Sequence, residues 1–596
     1  NIKPGAYKIK VGITDCSSEN INISVNGTNP NRITEQGFWD APRRVKIKNY
    51  ALWKDSSTFE YDFVSAGGYI EIETEPKSLP CREKCCTAGL SYIEIIPLKI
   101  TEANPEALPA IYVLGDSTEK TYTFEEAPMS GWGQLIHNMF DETKVNIINY
   151  SAGGRSMRLM YSENRFNDLL LTAKKGDFVF LHSAHNDERN DGIEGPEARF
   201  GRGTTADDYK KWLNKIYIPS MKVRGLVPVL VTAMPRTVDG VPKEGFNPDS
   251  VGLMKKAAME NSGVECINLF EPAKEYISEI GSERTTAIYM GIEAGETPGK
   301  TNSGSFANGH PQRKIDGTHF KEAASKVWCK IIAEEIYRQA KAETASRNMK
   351  ALSGCLKKEV KDAVKTNDWS RIYPEWAEDV SINPVGNDGY YRNQIEKLLQ
   401  LGVMFKDSNG RFRPNENIDK EAFISALCVL WGLDTSKEDI KSALAPYNSK
   451  EYMTREEMAA VILTAYKLKF GCDEKMSLNR PPYMTDYNGT TIFPDDPNYD
   501  PNLKGEETGY YPIITWKELN DKEEISPQYA DAFYIVYDLG LMRSEEGIER
   551  GKVKNGTLLK PKEKVTRAKA AKELWFLWVL VHDILEDDSS LIIKTT

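Results

Sequence analysis

Four short stretches carry residue types that together can hydrolyse an ester. "GDST" (115–118) presents Ser117 directly after the apolar run "IYVL", and "NYSAGGRS" (149–156) ends in Gly153, Gly154, Arg155 and Ser156. "HSAHNDE" (182–188) offers His185, Asn186 and Asp187, and "KIDGTHF" (314–320) offers Asp316 and His319. A serine hydroxyl is a poor nucleophile until a neighbouring base accepts its proton. His319 is the expected base, and Asp316, three residues earlier, is expected to orient its ring and stabilise the imidazolium. The tetrahedral intermediate needs donors aimed at its oxyanion, each worth roughly 3 kcal/mol of barrier. The N–H groups of Ser117 and Gly154 and the side-chain amide of Asn186 are the candidates. Gly154 has no Cβ to keep its N–H at a distance, and Gly153 is an alternative. Asp116 reads as support for the turn rather than as a catalytic acid.

Each fragment alone is weak; their order, each at the end of an apolar strand or before a long helix, makes them a set. Of six histidines, His137 lies in a helical stretch and His582 in the far C-terminal region, away from the set. His182 and His185 share a strand end but lack a third ligand at zinc-like spacing, so no metal and no cofactor is expected.

The elements that must position these residues fall into three regions joined by a connection. From 108 to 342, the apolar strands "AIYVLG", "VNIINY", "DFVFLHS", "LVPVLVT" and "VECINLF" alternate with helical stretches at 131–141, 207–224 and 320–341. This alternation predicts an α/β domain with a flavodoxin-like parallel sheet, helices on both faces and chemistry at the carboxyl ends of the strands. Residues 1–107 alternate in polarity over short runs broken by Asn-Gly, Gly-Gly and Pro, which predicts a β-sandwich. Trp39 and Trp53 are positioned either to stack on sugar rings or to pack in a core. Residues 343–371 read as a polar, Lys-rich linker. Residues 372–596 repeat a helix, a turn-rich loop and a second helix, clearest at 392–433 and 528–580 with a shorter copy around 452–469. An all-α three-repeat bundle is expected there.

At this point the residues resemble the SGNH (GDSL-type) hydrolases: Ser117, Gly154, Asn186 and His319 match the four block residues, and Asp316 fits the Asp-x-x-His ending. The closer resemblance is to rhamnogalacturonan acetylesterases of carbohydrate esterase family twelve, through "GDST", "GWGQ" (131–134), "GGRSMR", "HND" and "DGTHF". It covers about 108–342. The resemblance implies metal-free removal of acetyl groups from galacturonate residues of pectin. It also implies substrate contacts at Arg155, Ser156 and His185, with Arg155, Arg158, Arg165 and Arg236 as possible partners of galacturonate carboxylates. Two positions depart from the pattern: Ala184 stands where glycine is usual, and Glu119 stands where an apolar residue is common. No role for Glu119 follows from the sequence.

The C-terminal repeats resemble S-layer homology (SLH) domains, through "GVMFKDSNGRFRPNENIDKEAF" (402–423), "TREE" (454–457) and "TRAK" (566–569). The resemblance implies binding to a peptidoglycan-linked secondary cell-wall polymer, with Arg455 and Arg567 as wall contacts and Lys420 in the equivalent place of the first repeat. Capping is the alternative role of these helix starts, since Thr454 and Thr566 are good N-caps.

Composition bounds the partners. The 596 residues carry a net charge of −10, the wrong sign for a general nucleic-acid binder. No window has the length of apolar sequence that spans a membrane. The start, "NIKPGAYKIKVG", fits a processed secreted chain. The nine cysteines include the cluster "CREKCC" (81–86), read as a local disulfide partner for Cys16 or as free thiols. The expectation is an extracellular, wall-attached serine esterase acting on acetylated pectic polysaccharide. A xylan or other polysaccharide acetylesterase is the alternative enzyme, and a non-catalytic wall-attached glycan-binding protein is the alternative of another class.

Overall fold

In the computed structural model the described residues are 1–28, 50–77, 89–100, 107–122, 129–188, 203–289, 317–373, 380, 392–471, 484–485, 491–492, 511–512, 516–539, 541–542, 544, 548–549, 552–553 and 558–585. The alternating N-terminal sequence folds as β1 (Gly5–Thr14), β2 (Ile21–Val25), β3 (Ala51–Trp53), β4 (Thr58–Ser65), β5 (Ile72–Pro76) and β6 (Gly89–Pro97). Four strands form an antiparallel sheet in the order β3-β4-β1-β6, and β2 pairs with β5 as a separate ribbon. Period-two patterning puts Ile9, Val11, Phe59 and Tyr61 of the sheet and Ile21, Ile23 and Val25 of the ribbon into one core. Trp53 stands edge-on to Phe59 at 5.5 Å and packs against this core. Trp39 and the cluster at 81–86 lie outside the described residues, as does the partner of the disulfide-bonded Cys16.

The central domain is built on β7 (Ala110–Leu114), β8 (Asn146–Asn149), β9 (Phe178–Leu181), β10 (Val227–Val231), a hairpin of β11 (Thr237–Val238) and β12 (Val241–Pro242), and β13 (Glu265–Ile267). Its five-stranded sheet has the order β13-β10-β9-β7-β8, with every neighbouring pair parallel. Counted along the sheet from β8 this is the 2-1-3-4-5 order of flavodoxin-like folds, as expected. Strands buried on both faces need apolar residues at every position. Accordingly Ile111 and Val113 of β7 enter one core while Tyr112 and Leu114 enter the other. The second core takes helices α1 (Met157–Ser162), α2 (Arg165–Thr172) and α3 (Ser250–Glu260); the first takes α4 (Phe270–Ile288) and α5 (Glu322–Lys341). The N-terminal sheet is fastened to α2: the Tyr61 hydroxyl donates to Asn164 Oδ1 at 2.7 Å, and the Val64 N–H donates to Asn167 Oδ1 at 2.9 Å.

Residues 343–371 are not a polar linker. They fold as two helices, Arg347–Gly354 and Lys358–Thr366, whose Met349, Leu352, Val360 and Ala363 join the core under α5, followed by the buried Trp369. The lysines that dominate the composition lie on the other face of these amphipathic turns.

Beyond them, α6 (Arg392–Gln400), α7 (Lys420–Trp431), α8 (Arg455–Phe470), α9 (Pro527–Asp538) and α10 (Arg567–Leu585) share one core that includes Phe412, Phe423, Ile462, Phe533 and Leu574. The starts of α7, α8 and α10 meet in a closed ring. The N–H of Ile418 donates to Val565 O, that of Val565 to Met453 O and that of Met453 to Ile418 O, at 2.9, 2.9 and 3.0 Å. The first N–H groups of a helix have no partner inside it. Here those of Lys420, Arg455 and Arg567 donate to the carbonyls of Glu451, Glu563 and Glu416, each supplied by the loop of the next repeat. The module is bonded to the central domain through Lys397 of α6, 3.1 Å from Glu322 of α5, and Glu396, 3.3 Å from Lys326.

Candidate active site

Strand order reverses around β7, so a crevice opens at its carboxyl end, and the chain turns there at Gly115 into Asp116, Ser117, Thr118 and Glu119. The loops after the flanking strands are bonded to this turn: the Ala152 N–H donates to Gly115 O at 3.1 Å and the His182 N–H to Leu114 O at 3.0 Å. His319 arrives from far along the chain. Its neighbour Phe320 forms bridges with Tyr289 and, through its carbonyl, accepts the Ser130 N–H at 3.1 Å. Held in this way, His319 Nε2 lies 2.9 Å from Ser117 Oγ. Asp316 lies outside the described residues.

The turn at 115–119 is almost wholly enclosed. Asp116 and Glu119 are both 0% exposed. Asp116 Oδ1 accepts from the Thr118 N–H and the Thr118 hydroxyl, each at 2.9 Å. Glu119 Oε2 accepts the Asp116 N–H at 2.9 Å, while its Oε1 is 2.6 Å from Thr118 Oγ1 and 3.3 Å from His182 Nε2. Burial, helped by the charge of Asp116, pushes the Glu119 carboxyl well above its ordinary value. Burial also opposes charge on Asp116, yet the imidazoles of His185 and His182 and the Thr118 donors keep it below its ordinary value. Burial pulls His182 down to about 4 and His185 well below its ordinary value.

The "GWGQ" stretch clasps the far side of the turn. The Trp132 N–H donates to Thr118 O at 3.0 Å, and Gln134 Oε1 accepts the Tyr122 N–H at 3.1 Å. A Cβ at Gly131 would collide with the backbone of Glu119 and Lys120, and one at Gly133 with Glu119 O. Two glycines flanking a tryptophan were a legible sign of close backbone approach.

Gly154 has φ 77°, a left-handed conformation that glycine adopts without strain, in the loop that precedes α1. Asn186 is half-buried, and its side-chain amide has no hydrogen-bond partner among the described residues. Asp187 ties the two loops together: its carboxylate accepts the Met157 N–H at 3.3 Å and is bonded to the Ser183 hydroxyl. Burial raises this acid to about 7. Arg236 makes a second tie, which the sequence does not reveal. It donates to Glu188 Oε2 and to His185 O, both at 2.6 Å, and to the hydroxyl of Thr318 beside His319. The loop that carries Asn186 and the segment that carries His319 are thereby fixed to each other.

Comparison with known proteins gives this geometry its family. The chain is 30% identical over 228 residues to Probable rhamnogalacturonan acetylesterase YesY of Bacillus subtilis, covering 38% of this chain and 91% of that protein. The chain belongs to the rhamnogalacturonan acetylesterase family. It is 26% identical over 231 residues to Rhamnogalacturonan acetylesterase RhgT of the same organism, covering 38% of this chain and 88% of that one. A solved GDSL-like lipase from Parabacteroides merdae covers 39% of this chain and 98% of its own, with 12% identity and a TM-score of 0.27. The family model for the S-layer homology domain matches residues 385–424. This rhamnogalacturonan acetylesterase-like chain is therefore a carbohydrate acetylesterase with an SLH cell-surface anchor. No helix among the described residues is long and apolar enough to cross a membrane.

Within the acetylesterase site, the residues expected to contact substrate have partners in the protein. Arg155 pairs with Glu163 through two bonds of 2.9 and 3.1 Å and donates to Gly153 O at 2.6 Å, so its fork faces the protein. Ser156 caps α1, accepting the Leu159 N–H at 3.3 Å. His185 is buried, with its Nδ1 3.9 Å from Asp116 and its ring edge-on to Phe246 at 5.2 Å. Arg165 donates to Tyr150 O at 3.0 Å, which leaves Arg158 as the exposed member of the four arginines. In the anchor, Arg455 is buried and donates to Leu559 O at 2.8 Å. Arg567 donates to Phe405 O and Phe412 O at 2.8 and 2.7 Å and lies over the Phe412 ring. In these contacts both arginines bond each repeat to the loop of another.

Proposed function

We propose that the protein removes acetyl groups from acetylated pectic polysaccharide, rhamnogalacturonan in particular, through an acyl-enzyme on Ser117. The observation that carries this reading is the 2.9 Å approach of His319 Nε2 to Ser117 Oγ in a chain of this family. His319 takes the hydroxyl proton as Oγ attacks the acetyl carbonyl. The N–H groups of Ser117 and Gly154 and the Asn186 amide stabilise the oxyanion, and Asp316 orients the imidazole. Collapse leaves acetate esterified to Ser117, while the sugar hydroxyl departs with the proton from His319. Water, deprotonated by His319, then releases acetate. The N-terminal sheet and ribbon are read as a β-sandwich, and the ring-closed helices as a three-repeat SLH bundle that binds a peptidoglycan-linked wall polymer.

The test is acetate release from acetylated pectin, acetylated xylan and an aryl acetate. Preference for pectin supports the proposal, and preference for xylan favours a xylan esterase. An S117A variant as active as the parent would overturn the acyl-enzyme. Anchoring is tested by pelleting with purified wall sacculi, comparing the full chain with one ending at residue 373, because residues 347–369 pack into the catalytic domain.

A further inference from the structure

The environment of Glu119 contains a mismatch of hydrogens. Thr118 Oγ1 carries a single proton, yet two carboxyl oxygens lie within hydrogen-bond distance: Asp116 Oδ1 at 2.9 Å and Glu119 Oε1 at 2.6 Å. Were both carboxyls ionised, one of these contacts would press a lone pair against an anionic oxygen with nothing between them. Asp116 Oδ1 also accepts the Thr118 N–H, so it is the better-solvated oxygen and takes the hydroxyl proton. The shorter contact, to Glu119, then needs a proton from the glutamic acid.

His182 does not supply a cation to the pair. A protonated imidazole carries hydrogens on both nitrogens, and His182 Nδ1 is buried without a hydrogen-bond partner among the described residues. Of the elements packed against Glu119, the end of β9 contributes His182, and His185 stacks beyond it at 5.8 Å. The Trp132–Leu135 turn and the end of β8 contribute no titratable group, only Trp132 and Asn149, whose amide donates to Glu119 O at 2.7 Å.

We propose that Glu119 is a positioning residue that acts as a neutral carboxylic acid, accepting the Asp116 N–H at Oε2 and donating its own proton to Thr118 Oγ1 at Oε1. The side chain thereby grips the backbone on both sides of Ser117 and sets the direction of the Ser117 N–H and Oγ. Gly115 completes the device: a Cβ there would collide with Glu119 Oε2, so the carboxyl curls beneath the turn only because this position is glycine. The upward push on the Glu119 carboxyl from burial agrees with this assignment. The proposal rests on Ser117 as nucleophile for its effect on rate, but the protonation state is readable without activity.

Two measurements decide it. An acid that is neutral when folded and ionised when unfolded binds a proton on folding, so the folded state loses stability as pH rises above the ordinary glutamate value. E119Q keeps one acceptor and one donor but needs no proton. The expected result is that Tm of E119Q rises relative to the parent as pH climbs from 5 to 8, while E119Q retains most of the kcat that E119A and E119D lose, about 10- to 100-fold. A Tm difference that is flat with pH, or an E119Q enzyme as slow as E119A, would overturn the proposal. If E119A does not fold, the comparison of parent with E119Q still decides. If S117A proves as active as the parent, the rate argument falls but the Tm argument stands or falls by itself.

Discussion

Ser117 Oγ and His319 Nε2 meet at 2.9 Å although 202 residues separate them in the chain. Nothing local holds them together. The serine is fixed by the turn after β7, and the histidine by bridges on both sides and by the Arg236 bond to Thr318. Residues that act as one unit are not additive in their effects. S117A and H319A are each expected to lower kcat roughly 10⁴-fold or more, and the double variant no further. Single-turnover acetate release measures this; a double variant slower than either single by another such factor would contradict the shared role.

The glycines of "GWGQ" lie against backbone atoms that have no room to withdraw. G133A is expected to lower stability by about 1–3 kcal/mol, because its Cβ meets Glu119 O in the turn that Asn149 and Trp132 also hold. Urea unfolding measures the cost, and an unchanged midpoint with normal kcat would show that the clasp yields.

Acid should loosen the joint between the catalytic domain and the anchor first. Burial opposes charge on Glu322, but Lys397 and Lys326 hold its carboxyl down to about 2, against an ordinary value near 4.5. A depressed acid adds stability above its unfolded value that is lost as pH falls towards the folded one. Proteolytic separation of the SLH module from the catalytic domain is therefore expected to accelerate between about pH 4.5 and 2, and K397A to bring the same sensitivity to neutral pH. A K397A chain as resistant as the parent at pH 7 would remove this pair from the joint.

Arg158 tests the pectic substrate. It is exposed on α1, four residues past Gly154. R158A should raise KM for acetylated pectin several-fold, by roughly 1 kcal/mol, and leave an aryl acetate unaffected. Equal effects on both substrates would assign Arg158 to the scaffold.

The meeting of Ser117 with His319 was legible because strand ends are readable from apolar runs, and a parallel sheet brings such ends together. It carried less of the charge partners. Arg155 and Glu163 are eight residues apart across a helix start, and Arg236 reaches His185 and Thr318 across loops, so composition alone left each arginine apparently available to substrate. Lysines at 343–371 similarly concealed a helix pair that buries only two apolar residues in each helix, Met349 and Leu352 in one and Val360 and Ala363 in the other. Glu119 was visible as a departure, but its meaning depends on three buried neighbours that no spacing rule predicts.

The ring formed by Ile418, Val565 and Met453 has a consequence for the order in which the chain can mature. Residues 418 and 453 can pair as soon as they emerge, but Ile418 waits for Val565, well over a hundred residues later, before its own N–H is satisfied. The catalytic domain, with its last strand at 267 and its last helices ending by 366, can close long before that. Synthesis therefore completes the enzyme first and leaves the SLH module open until residue 565 arrives, so a chain cut before that point keeps the catalytic fold and loses the closure.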